Sequence, residues 1–202
     1  MIPAIQLVRK QFPKAIISVD TFRSKVAEEA VNARADMIND ISGGDGSSEL
    51  GDKKMFETIA RLKVPYVLMH IQGAPQTMQK DPQYKDVVKE VKDYFSWKVE
   101  KLKSYKVEQI IIDPGFGFGK TLEHNYALLK NLSAFKSLGR PILAGVSRKS
   151  MINKALGTTP QTALNGTTSA NTIALMNGAN ILRVHDVKEA KEAIKIYNFV
   201  SK

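Results

Sequence analysis

The sequence predicts a parallel α/β fold of the TIM-type (β/α)8 barrel class, carried by one domain spanning 1–202. Three observations lead there. Six short, β-branched apolar runs alternate strictly with helical patterns, the signature of repeated strand–helix units. Each run is nearly continuous in apolar residues, as parallel strands covered on both faces require. Every run also ends in a reactive or hydrogen-bonding cluster. In an open doubly wound sheet only the strand ends beside the switch point meet, whereas in a barrel all of them converge on one face. A closed barrel has eight strands, and this chain shows about six β/α units.

A helix-like segment at 2–11 precedes the first strand, 15–20 (AIISVD), which ends in Asp20-Thr21. A helix over about 23–34 leads to the second strand, 36–41 (DMINDI), with Asn39-Asp40 at its end. The helix at 52–63 precedes the third strand, 65–70 (PYVLMH), which closes on His70. A long helix, 84–105, is followed by the strand 108–113 (EQIIID), ending on Asp113. Helix 122–132 precedes strand 141–146 (PILAGV), after which come Ser147-Arg148-Lys149. Helix 160–177 leads to strand 180–184 (NILRV), with Arg183 and His185-Asp186 at its end. In the last helix, 187–200, Val187, Ala190, Ala193, Ile194, Tyr197 and Val200 fall at helical spacing.

The formal net charge is +10. Its lysines are scattered, and over 85–106 acids are interleaved with them. That pattern describes a solvated helix face better than a nucleic-acid groove, and it leaves an anionic small molecule as the partner the charge suits. No apolar run approaches the roughly 20 residues of a membrane span, so no membrane partner is expected. The first residues, MIPAIQLVRKQF, show neither the charged n-region nor the cleavage site of a signal peptide. With no cysteine, disulfides, thiol nucleophiles and thiolate metal sites are excluded, and a cytoplasmic enzyme fits.

The stretch DPGFGFGK (113–120), followed by Thr121, suggests a nucleotide phosphate loop. Its spacing is wrong, because the first glycine of G-x-x-x-x-G-K-[ST] would fall on Pro114. G-x-G-x-x-G fails too, since Lys120 stands where the third glycine belongs. Taken alone, the loop reads equally as a turn that needs positive φ and close backbone approach.

Six stretches settle the matter by resemblance: SVDT (18–21), INDIS (38–42), LMHIQGAPQTMQ (68–79), DPGFGFGK (113–120), GVSRKS (145–150) and RVHD (183–186). They stand at strand ends, in family order, over essentially the whole chain. The sequence resembles the dihydropteroate synthase family of pterin-binding barrels. The resemblance implies condensation of 6-hydroxymethyl-7,8-dihydropterin diphosphate with 4-aminobenzoate, giving 7,8-dihydropteroate and diphosphate in folate biosynthesis. The Gly/Phe loop would then border a pterin.

Several roles follow from that resemblance. Asp113 would accept two N–H groups of the pterin's guanidine-like edge, with Asn39 beside it. Asp20 would contact the pterin's far side and steady cationic character as diphosphate departs. Lys149 would bond ring acceptors beside the incoming amine, while Met69, Gly117, Phe118 and Gly145 wall the ring. Arg183 and His185 would clamp the diphosphate, with Ser147 near the benzoate and phosphates. Asp20, Lys149 and Arg183 are the expected catalytic residues. Each has a plainer alternative: Asp20 capping the next helix, Asn39 and Asp113 bonding turn amides, Met69 filling core. His70 reads as structural, and Arg148 as a backbone or interface contact.

The sequence also departs from the family. Two further strands, ending in Asn-Val-Thr-Pro-Asp-Ser-Phe-like and Gly-Gly-Glu-Ser-Thr-Arg-Pro-Gly motifs, precede SVDT in family members, and neither motif occurs here. The expected reading is an N-terminally truncated barrel with weak pterin binding and little turnover. The resemblance implies Mg2+ as cofactor, with its asparagine ligand in the missing segment and no metal ligand in this chain. It also implies a homodimer when full length. Competing readings are a pterin-dependent methyltransferase, a non-catalytic pterin-binding fragment and a generic phosphate-binding barrel. The methyltransferase reading is disfavoured because methyl transfer offers no diphosphate for SRKS and RVHD to neutralise.

Overall fold

A computed structural model describes residues 1–44, 46 and 50–201. The strands are β1 (Ser18–Asp20), β2 (Met37–Asp40), β3 (Tyr66–Met69), β4 (Ile110–Asp113), β5 (Leu143–Ala144) and β6 (Ile181–Leu182). The helices are α1 (Ile2–Gln11), α2 (Ser24–Asn32), α3 (Met55–Leu62), α4 (Val87–Ser104), α5 (Leu122–Lys130), α6 (Ser150–Leu156), α7 (Leu164–Met176) and α8 (Val187–Val200).

All six strand positions expected from the sequence carry strands, each shorter than the apolar run that marks it. Several helix boundaries lie inward of the expected ones. Asp86 accepts from the backbone N–H groups of Val88 and Lys89, both at 3.0 Å, so α4 starts at Val87 rather than 84. α3 begins at Met55 instead of 52, after a turn in which Asp52 accepts from Lys54 N–H at 2.9 Å; its N-cap, Lys54, makes no side-chain cap bond. The Thr121–His124 capping box starts α5. That helix stops at Lys130, and a 3-10 helix, Leu132–Leu138, continues the chain. One element is absent from the sequence-based expectation. SRKS runs directly into α6, which Gly157 ends in a left-handed cap with φ 63°. As a result α7 begins at Leu164, not 160.

The strands lie parallel and in sequence order. β1-β2-β3-β4 form one ladder and β5-β6 another, and a parallel bridge between Ile112 and Ile142 joins the two. Sequential order without reversal is the wall of a barrel, not a doubly wound sheet. Pairing between β6 and β1 is absent among the described residues.

Side chains alternate across each strand, and that parity builds the site. Val19, Ile38, Tyr66, Leu68, Ile110, Ile112 and Ala144 face outward into the large core shared with the helices. Val67, Ile111 and Leu143 face inward as a small cluster, with Met37 and Ile181 packed on it. Two residues further along the same inward rows stand Asn39, Met69, Asp113, Gly145 and Arg183. Asp20 is paired with Asn39, and Met69 with Asp113, in the strand register. The apolar cluster is therefore the floor beneath a ring of polar strand ends.

Candidate active site

Asp20, at the end of β1, accepts from Asn39 Nδ2 at 2.5 Å and from Arg183 Nη2 at 2.8 Å. It does not cap α2, whose N-cap is Arg23 with no side-chain cap bond. The Arg183 contact crosses from the end of β6 to the end of β1. Both side chains are more than half exposed, so the ion pair is a weak tie that a bound anion can displace. Asn39 is buried; its Nδ2 is spent on Asp20, while its Oδ1 is buried without a hydrogen-bond partner among the described residues. An orphaned acceptor of this kind costs free energy unless a ligand supplies a donor.

Asp113 is buried at the end of β4. Its Oδ1 accepts from Gly115 N–H at 2.8 Å, so the turn-amide reading of this residue is part of its role. Burial pushes its carboxyl above the usual range; Lys149, the Gly115 amide, Lys120 and Arg183 oppose that shift. Lys149, the residue before α6, donates to the Phe116 carbonyl, and its ammonium lies 4.8 Å from the centre of the Phe118 ring. Burial pulls Lys149 down to about 8 and Asp113 holds it up, while Arg183 lowers it further.

A cavity of about 340 Å³ opens among these groups, lined by Asp20, Asn39, Met69, Asp113, Phe118, Gly145, Lys149 and Arg183. The site residues expected at the strand ends are thus brought together. Gly117 stands behind the wall: its N–H donates to Asn125 Oδ1 at 2.7 Å, and its carbonyl accepts from Gln79 at 2.6 Å. Ser147 and His185 line an adjoining cavity of about 220 Å³ that shares Gly145, Lys149 and Arg183 with the first. Their side chains meet, Ser147 Oγ to His185 Nδ1, at 3.0 Å.

The two expected bystanders have definite partners. His70 is buried, with Nδ1 3.0 Å from Lys120 Nζ, and burial keeps its imidazole well below its usual range. Arg148 grips Asp186 through Nε and Nη2, at 2.9 and 2.7 Å, and donates to the carbonyls of Pro160 and Gln161. That fork ties the loop after β5 to the loop after β6, which aligns Lys149 and Ser147 with Arg183 and His185. Thr21, already seen at the first strand end, also lines the larger cavity, and sequence reasoning missed Phe22, Arg23 and Ile41 there. Their only signal was adjacency to strand ends already chosen. Among the described residues no three His, Asp or Glu side chains gather as a metal-ligand set.

A parallel barrel wall with buried carboxylate and amide acceptors on the cavity floor and Lys149, Arg183 and His185 on its rim defines a barrel-type enzyme site for a small, donor-rich, anionic ligand. Comparison with known proteins narrows the class. The family model described as pterin binding enzyme matches residues 1–185. Dihydropteroate synthase of Escherichia coli K12 is 41% identical over 198 residues, which is 97% of this chain and 68% of that protein. The Thermus thermophilus enzyme solved with 4-aminobenzoate superposes with a TM-score of 0.91 at 38% identity, covering 100% of this chain and 80% of the other. The Xanthomonas albilineans enzyme solved with 7,8-dihydropteroate gives 0.89 at 35% identity, covering 100% and 72%. The chain belongs to the dihydropteroate synthase family.

Proposed function

We propose that this protein condenses 6-hydroxymethyl-7,8-dihydropterin diphosphate with 4-aminobenzoate to give 7,8-dihydropteroate. The observation that carries this reading is the pairing of buried acceptors on the cavity floor. The orphaned Asn39 Oδ1 and the Asp113 carboxylate call for adjacent N–H donors, and the aminopyrimidinone edge of a pterin presents such a row. Met69 and Phe118 supply apolar walls for a flat ring, and Lys149 offers a donor to its ring acceptors. The ring and its exocyclic methylene would lie in the larger cavity, leaving the diphosphate over Arg183, Lys149 and His185.

In the reaction the amine nitrogen attacks the methylene carbon. The C–O bond breaks with its electron pair going to diphosphate, and the new N–C bond leaves a proton for solvent or the departing anion. Arg183 and Lys149 stabilise charge that grows on the leaving oxygen, and Asp20 steadies the positive character left on the pterin side. Because Arg183 rests on Asp20 at 2.8 Å, diphosphate binding draws the guanidinium away and frees that carboxylate at the same moment.

The Mg2+ of the resemblance would be carried chiefly by the diphosphate's own oxygens. Lys149 and Arg183 would then face the diphosphate oxygens that the metal leaves free. We further propose a cytoplasmic homodimer. Ile173 and Met176 of α7 and Ile196 of α8 are exposed on adjoining helices at 46%, 56% and 66%, an apolar face that a second copy would cover. No helix among the described residues is long and apolar enough to cross a membrane.

The test is to incubate the protein with the pterin diphosphate, 4-aminobenzoate and Mg2+, and to follow dihydropteroate and diphosphate by chromatography. Slow release of the two in equal amounts is expected. Failure to bind 6-hydroxymethyl-7,8-dihydropterin in calorimetry would reject the pterin reading itself.

A further inference from the structure

Lys120 closes DPGFGFGK and has no part in the chemistry above. It is 3% exposed and lines neither of the two site cavities. Its amino group meets three partners at hydrogen-bond distance: His70 Nδ1 at 3.0 Å, the Gly115 carbonyl at 3.1 Å and the Phe118 carbonyl at 2.9 Å. The His70 carbonyl lies further off, at 3.5 Å. Burial pulls Lys120 down to about 7, with Asp113 holding it up. The site suits both forms: the ammonium donates to all three partners, and the neutral amine donates to the two carbonyls and accepts from His70 Nδ1–H.

The loop is wrapped tightly on this centre. A Cβ at Gly115 would lie 1.9 Å from the His70 carbonyl oxygen and 3.4 Å from Lys120 Nζ. Each loop acceptor that Lys120 holds is one step from a cavity group. Gly115 donates its N–H to Asp113 Oδ1, and the Phe118 side chain lines the cavity beneath Lys149. Around the same loop Tyr84 holds the Gly119 carbonyl at 2.9 Å and Gln79 the Gly117 carbonyl at 2.6 Å. His70 and Gln79 belong to the LMHIQGAPQTMQ stretch, whose polar residues the reaction leaves idle.

We propose that Lys120 is a positioning residue: a buried amino group whose bonds to His70 and to the Gly115 and Phe118 carbonyls hold loop 115–119 folded, fixing Asp113 and Phe118 for the ring substrate. The proposal rests on the pterin reading for its functional consequence, but its structural half does not.

Lys120→Met keeps the length of the stem and removes the amino group, and Lys120→Gln restores two N–H donors. Two readouts are taken on the full chain: calorimetric affinity for 6-hydroxymethyl-7,8-dihydropterin, and amide hydrogen exchange resolved by segment. In Lys120→Met we expect affinity to fall at least tenfold and exchange to accelerate over 115–119 with α4 and α5 little changed. Lys120→Gln should recover part of both, and it stands in should the Met variant fail to fold. Affinity within twofold of the parent in Lys120→Met, acceleration spread evenly over the chain, or a Gln variant no better than Met would overturn the assignment. Should the parent itself bind no dihydropterin, the pterin reading falls, and the exchange pattern alone decides what Lys120 does.

Discussion

Replacing Asp113 with Asn separates ligand recognition from folding. The substitution keeps the shape, and the amide oxygen can still accept from Gly115 N–H, now 2.8 Å from Asp113 Oδ1. What changes is the other position, where an NH2 group would confront the donors of the ring substrate. Losing a charge-assisted hydrogen bond and leaving a mismatched donor costs about 1.5–3 kcal/mol, a roughly 10- to 150-fold weaker dihydropterin affinity. Folding should respond differently. Burial raises the Asp113 carboxyl above its usual range, so the unfolded chain releases this proton more readily than the native one. The native ionised group is therefore a burden above the unfolded value of 3.8, one that a neutral amide removes. Part of that relief is offset, because Lys149, Lys120 and Arg183 lose a nearby negative charge. The expected result is a melting temperature equal to or above the parent's at pH 7, with affinity lost. Calorimetry at pH 7 and thermal melts at about pH 4.5 and 7 measure both. Dihydropterin affinity within threefold of the parent, with the fold intact, would refute Asp113 as the acceptor for the ring.

Other parts of the structure carry three more expectations. Tyr66→Phe removes the hydroxyl that donates to Asp40 Oδ2 at 2.7 Å in a fully buried setting, so urea denaturation should show a loss of about 1–3 kcal/mol; a loss below about 0.5 kcal/mol, typical of a surface change, would contradict it. Gly115→Ala forces a Cβ within 1.9 Å of the His70 carbonyl at φ 69°, whereas Gly139→Ala at φ 62° meets nothing within 4 Å. The second should cost about 1–2 kcal/mol from backbone strain alone and the first clearly more, so equal melting temperatures for the two would count against the tight loop packing. Lys149 sits near 8 in the native state against 10.5 ordinarily, so between those values the unfolded chain holds a proton that the native state has released. Stability should gain a rising contribution from this group as pH climbs from 8 to 10.5, and Lys149→Met should flatten that slope in melts across the range.

The strict alternation of strands and helices, the parallel class and the identity of the strand-end residues were readable in the amino-acid order, whereas α6 and the 3-10 helix were not. Those features are local: a continuous apolar run, a glycine-spaced turn or an aspartate at a strand end is written in consecutive residues. Asn39, Asp113 and Arg183 have a further regularity. Strand side chains alternate, so a polar residue two places beyond an inward apolar one lies on the cavity side. Helix starts were less legible, as at α4, where Asp86 sets the start by accepting from backbone N–H groups within one turn. Pairings between distant segments came from the three-dimensional arrangement alone. Nothing local says that Arg148 will grip Asp186, that Arg183 will cross to Asp20, or that Asn39 will keep one buried acceptor unpaired. Lys120 shows the difference most clearly. In sequence it completes a phosphate-loop-like Gly-Lys-Thr, yet its amino group turns inward. Its three partners come from His70, 50 residues upstream, and from the loop's own backbone, and those groups converge only once β3 and β4 lie side by side.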